Sequence, residues 1–224
     1  MTAYFISGLG ADKRAFERIK LPPSYEIRHL EWLIPARHET LVDYSARLSK
    51  QIDTSKPFEL VGLSFGGMIV TEISKILKPT RSILISSIST RNQIPWYYRL
   101  IGKLRLHKIV PAQLLKWPNA LTFWAFGART KEEKKLLRQI LHDTDRKFIK
   151  WAIHAILTWT NEQRPETLFH IHGTNDRILP IRFTQPHVKV ERGGHFMVYS
   201  MADNINKTLE EKLSKYLQPH KAKI

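Results

Sequence analysis

The pentapeptide Gly62-Leu63-Ser64-Phe65-Gly66 sets a hydroxyl between two glycines, directly after the apolar run Phe58-Glu59-Leu60-Val61 and ahead of a helical pattern that starts at Phe65. A strand that turns sharply into a helix projects its middle side chain outward. It also crowds the backbone so closely that only glycine fits at the flanking positions. Gly67 leaves further room behind the turn. The turn puts Ser64 at a helix N-terminus, where free N–H groups and the helix dipole favour the negative charge that develops in acyl transfer.

A serine needs a base, and the base needs an orienting acid. Asp176 closes the run His172-Gly173-Thr174-Asn175-Asp176 after an apolar stretch at 168–172, and His195 closes Gly193-Gly194-His195 after another at 188–191. The chain order is therefore Ser, Asp, His, each just past a candidate strand. In a parallel sheet the strand C-termini converge on one edge, so three residues far apart in sequence can meet there. His170 and His172 share a strand face and, with Asp176, have the donor types of a metal site. A catalytic metal normally needs a third protein ligand, and Gly173 is better explained by the turn that presents Asp176. We expect no metal, and we expect His172 to line the site.

Six β-rich runs, at 3–6, 25–30, 58–61, 82–85, 168–172 and 188–191, must carry these turns. Helical patterns lie between several of them, the alternation that builds a parallel sheet covered on both faces. Leu41, Tyr44, Leu48 and Ile52 repeat at helical spacing behind Thr40 and Asp43, an N-cap with an acidic third position. A second helix should run from Phe65 to about Leu77. Met201, Ile205, Leu209, Leu213 and Leu217 mark a C-terminal helix capped by Ser200, followed by a frayed basic tail at 218–224. The stretch 91–161 breaks the strand alternation and reads as consecutive helices parted by Pro111, Pro118, Gly127 and the Asp143 region. Within it Thr130 and Glu133 form a capping-box signature. Its many aromatic residues, among them Trp96, Tyr98, Trp117, Trp124, Phe126, Trp151 and Trp159, could wall an apolar pocket.

Composition bounds the class. At 224 residues, with 42% hydrophobic and 25% charged residues, the chain suits one soluble globular domain carrying an insertion. No cysteine is present, which excludes disulfides, thiolate metal sites and a cysteine nucleophile and leaves the cytoplasm as the expected location. Neither a signal peptide nor a membrane-spanning apolar stretch is visible. The net charge of +16 is uneven, since 91–150 holds 14 Lys and Arg against 4 Asp and Glu, or +10. Such a field attracts anionic substrates, anionic membrane surfaces or acidic proteins. No zinc-finger spacing, RNA-recognition signature or basic heptad points to specific nucleic-acid binding. These residues name no oligomeric state.

With this motif set the chain resembles the α/β-hydrolase superfamily over nearly its whole length. Residues 1–90 and 162–224 match the family core, and 91–161 looks like its variable helical lid. The resemblance implies a mostly parallel sheet of about six strands with helices on both faces, its leading strands truncated. By the same resemblance Ser64 attacks a substrate carbonyl, His195 takes and returns the proton, and Asp176 holds the imidazole. The N–H groups of Phe65 and of Leu9, within Ser7-Gly8-Leu9-Gly10, would form the oxyanion hole. Ser7 stands where the family often has histidine, but the donor is main chain and survives that change. Similar enzymes need no cofactor. The implied reaction is hydrolysis of a carboxylic ester or thioester with an apolar acyl part, through an acyl-enzyme. Proteins of the family also cleave carbon–carbon bonds, act as cofactor-free lyases, or keep the scaffold as receptors with little turnover.

Overall fold

A computed structural model describes residues 1–214; Leu217 and the tail 218–224 lie outside the described residues. The chain begins with β1 (Thr2–Ile6), β2 (Glu26–His29), α1 (Leu41–Leu48), β3 (Phe58–Leu63), α2 (Phe65–Ile76) and β4 (Arg81–Ile85). Five helices follow before the sheet resumes: α3 (Trp96–Lys103), α4 (Ala112–Leu115), α5 (Ala120–Phe126), α6 (Lys131–Asp143) and α7 (Arg146–Thr158). Then come β5 (Leu168–Gly173), β6 (Val188–Val190), α8 (Met197–Ser200) and α9 (Ala202–Ser214). All six expected strands form, with ends displaced by a residue or two. They make one sheet in the order β2-β1-β3-β4-β5-β6, parallel throughout.

Period-two alternation sorts the strand side chains onto two faces. Ala3, Phe5, Val61, Leu63, Ile83, Ile85, Phe169 and Ile171 pack with α6, α8 and α9. Tyr4, Ile6, Phe58, Leu60 and Leu84 pack on the other face with α1, α2 and α7. Both faces of β3 and β4 are therefore buried, and burying each large aliphatic side chain there contributes about 1.5–3 kcal/mol.

Local signals explain the helix ends. Thr40 accepts from the Asp43 N–H at 3.1 Å and caps α1. In α6 the Thr130 hydroxyl accepts from the Glu133 N–H while Glu133 accepts from the Thr130 N–H, a complete capping box. Ser200 does not cap the C-terminal helix. It ends the separate short helix α8, its hydroxyl donates back to the Phe196 carbonyl at 3.2 Å, and α9 starts only at Ala202. The apolar stripe read from the sequence begins at Met201, just before α9, so the expected cap falls one residue early.

Several polar ties fasten the α6–α7 region to the core, three of them from its Thr and Trp side chains. Thr144 donates to the Gly10 carbonyl at 3.0 Å, the Trp151 indole to the Glu39 carbonyl at 2.8 Å, and the Trp159 indole to the buried Glu72 carboxylate at 2.7 Å. No helix among the described residues is long and apolar enough to cross a membrane.

Candidate active site

The turn from β3 into α2 holds Ser64 at φ 51° and ψ −117°, a left-handed backbone that costs a non-glycine residue on the order of 1–3 kcal/mol. Surrounding bonds hold it there. The Ser64 N–H donates to the Ile85 carbonyl at 3.0 Å, and its own carbonyl accepts from the Gly67 N–H at 3.0 Å and the Ser87 hydroxyl at 2.5 Å. The flanking glycines are required by contact. A methyl on Gly66 would sit 2.2 Å from the Ile6 carbonyl oxygen, and one on Gly62 would sit 2.5 Å from that of Gly66.

His195 Nε2 lies 2.8 Å from Ser64 Oγ, and His195 Nδ1 lies 2.8 Å from Asp176 Oδ2. The structure thus brings together three side chains from the ends of β3, β5 and β6. Asp176 is held in turn, because its other oxygen accepts the N–H groups of Ile178 at 2.9 Å and Leu179 at 2.8 Å. Burial alone would raise the Asp176 carboxyl, but the neighbouring imidazoles of His195 and His172 and the backbone donors outweigh it and hold the group below its usual range. Asp176 is therefore a carboxylate, which accepts Nδ1–H and leaves the Nε2 lone pair facing the Ser64 hydroxyl.

The loop after β1 closes the other side. Gly8 packs on Ser64, where a methyl built on the glycine would lie 3.5 Å from the Ser64 Cβ. Leu9, Ser64 and His195 line one cavity. Among the described residues neither the Leu9 nor the Phe65 N–H donates to a protein acceptor. The Ser7 hydroxyl is spent inside the loop on the Ala11 carbonyl, at 2.5 Å.

His172 does not line the cavities. Its Nε2 donates to the Leu179 carbonyl at 2.7 Å and lies 3.5 Å from Asp176 Oδ2, so it buttresses the acid from behind. Its Nδ1 then faces His170 Nε2 at 3.1 Å, so the two imidazoles of the β5 face are spent on each other. Burial, against partial compensation by Asp176 and the Leu179 carbonyl, lowers His172; burial together with the His172 and His187 imidazoles pushes His170 down to about 3.

Two apolar cavities meet at Ser64. One, of about 530 Å³, runs between Phe65, Met68, Ile88, Tyr98 and Leu157; the other, of about 240 Å³, runs between Leu9, Phe126, Leu137, Ile140 and His195. They share Leu115, Ile153, Ile156 and Ile178 as a dividing wall. Aliphatic side chains make most of this lining. Of the aromatic residues expected to wall a pocket, Tyr98 and Phe126 do so, whereas Trp151 and Trp159 pack into the scaffold and Trp96, Trp117 and Trp124 face solvent. Sequence reasoning missed Ser87, although the Ser86-Ser87 pair past the end of β4 lies on the same sheet edge as the other site residues.

No family model matches the sequence, and no curated protein matches it. Solved structures do. The chain is similar to MenH from S. aureus (16% identity, 96% of this chain and 94% of that one covered, TM-score 0.73). It is also similar to the enol-lactonase from Burkholderia xenovorans (16%, 95% and 91%, 0.69) and to a thermophilic esterase from Thermogutta terrifontis (16%, 96% and 90%, 0.66). The chain has the α/β-hydrolase fold.

Proposed function

We propose that the protein is a serine hydrolase that cleaves a carboxylic ester or thioester with an apolar acyl part. The observation that carries this reading is the unbroken relay of two 2.8 Å contacts, Asp176 to His195 to Ser64, opening onto apolar cavities. Ser64 attacks the carbonyl carbon while His195 Nε2 takes its proton, and the Phe65 and Leu9 N–H groups receive the oxyanion. As the tetrahedral adduct collapses, the imidazolium gives that proton to the leaving alcohol or thiol. Water then attacks the acyl-enzyme with His195 again as base. Asp176 stays ionised throughout and stabilises the charged imidazole. In this reading the α3–α7 segment acts as a lid whose inner side shapes the substrate cavities, which together have the size of small-molecule sites.

The esterase and enol-lactonase among the structural neighbours support hydrolysis as the general chemistry. The test combines a fluorophosphonate probe, read by intact-mass and peptide spectrometry, with a nitrophenyl ester series of rising acyl length. We expect one probe on Ser64 and turnover that rises from the acetyl to the medium-chain esters. Folded wild-type protein that stays unlabelled and hydrolyses no ester overturns the reading.

A further inference from the structure

The stretch from α3 to α5 is apolar on two sides. Its inner side lines the larger cavity through Tyr98, Ile101, Val110 and Leu115. Its outer side leaves Leu100, Leu104, Ile109, Leu114, Trp117 and Leu121 in solvent, Ile109 being 78% exposed and Trp117 58%. Of the 13 large hydrophobic residues exposed among the described residues, 9 fall between Trp96 and Trp124. α3, the 3-10 turn Leu106–Lys108 and α4 all pack against α7, so Leu100, Leu104, Ile109 and Leu114 project from one layer, with Trp117 and Leu121 following in the chain. Scattered single apolar residues are ordinary on a surface; this concentration in one layer is not.

The charge on the layer has one sign. Between Glu72 and Glu132 the sequence contains no acidic residue. Arg99, Lys103, Arg105 and Lys108 are all exposed, and none forms an ion pair among the described residues. A second copy of the chain would bring the same cations against these and repel. An anionic bilayer offers what both features need, because exposed Trp, Leu and Ile side chains enter the headgroup–acyl boundary while Lys and Arg reach the lipid phosphates. Leu106 belongs to both sides: it is 44% exposed and also lines the larger cavity.

We propose that the α3–α5 face docks on anionic phospholipid membranes. The larger cavity then lies directly behind the docked layer, and an apolar substrate enters it from the lipid. Each cation near the surface contributes about 1 kcal/mol, so four of them with the apolar side chains give measurable partitioning without a spanning segment.

The test is co-sedimentation of the full chain with vesicles of phosphatidylcholine alone and of phosphatidylcholine with phosphatidylglycerol, at low and high salt. It reads binding, so it is independent of turnover at Ser64. We expect association with the anionic vesicles that weakens as salt rises, and little with the neutral ones. Lys103→Gln with Lys108→Gln should lower partitioning about 30-fold, and separately Leu104→Ser with Ile109→Ser about tenfold or more, with unchanged circular dichroism and melting temperature. No binding to anionic vesicles, or wild-type binding by both variants, overturns the proposal. So does a wild-type dimer in light scattering that Ile109→Ser dissociates, since a second copy would then be the occupant.

Discussion

Two parts of the molecule solve opposite problems with the same chain. At the sheet edge Ser64 and Asp176 are each held several times over: Ser64 by three backbone bonds and the packed glycines, Asp176 by two N–H groups and two imidazoles. Along α3–α5 the helices are short, the outer apolar side chains are exposed, and Arg99, Lys103, Arg105 and Lys108 form no ion pair among the described residues. The contrast teaches where tolerance to change should lie. Dense hydrogen bonding is concentrated at the proposed proton relay, and exposed apolar surface at the proposed docking face.

The contrast can be tested in steps. Ser64→Ala or His195→Ala should lower kcat/KM by about 10⁴-fold or more with no loss in melting temperature, since each removes chemistry and little packing. Asp176→Asn should cost about 10³- to 10⁴-fold, because a carboxamide can no longer select the tautomer that leaves Nε2 free; a loss under tenfold would show that His172 and the loop suffice to hold the ring. Gly66→Ala should destabilise the fold by about 3 kcal/mol in denaturant titration, since the added methyl meets the Ile6 carbonyl.

A pH series probes the same edge more gently. His170 has a folded-state pKa of about 3 against 6.5 for an ordinary histidine, so the unfolded chain binds this proton more readily. Stability should therefore fall as pH drops from 6.5 towards 3, and His170→Gln should flatten the melting-temperature profile across that window. At the loose end of the comparison, Leu104→Ser should change stability by no more than about 0.5 kcal/mol. A larger loss would mean that the exposed face is part of the folding core.

Much of the edge was legible because its constraints are local. The elbow needs glycine at fixed offsets, and each site residue directly follows a strand whose composition marks it. The six strands and the Thr40 and Thr130 caps were readable for the same reason. Ser87 was not, because a hydroxyl supporting another residue's carbonyl leaves no periodic trace. Nor were the roles of Trp151 and Trp159, whose indoles are spent on Glu39 and Glu72. Aromatic content marks a segment as sticky without saying which side of it faces what. The short helix α8 left no periodic trace, because four residues are too few to show a helical period.

One junction links the two regions mechanically. The Phe196 N–H donates to the Phe126 carbonyl at 2.9 Å, Phe126 meets the His195 ring edge-on at 5.5 Å, and a methyl on Gly127 would lie 3.1 Å from the Gly194 Cα. The end of α5 is therefore fastened directly to the loop that carries His195. Moving that helix would break these contacts, so the placement of the His195 imidazole and the packing of α5 form one unit.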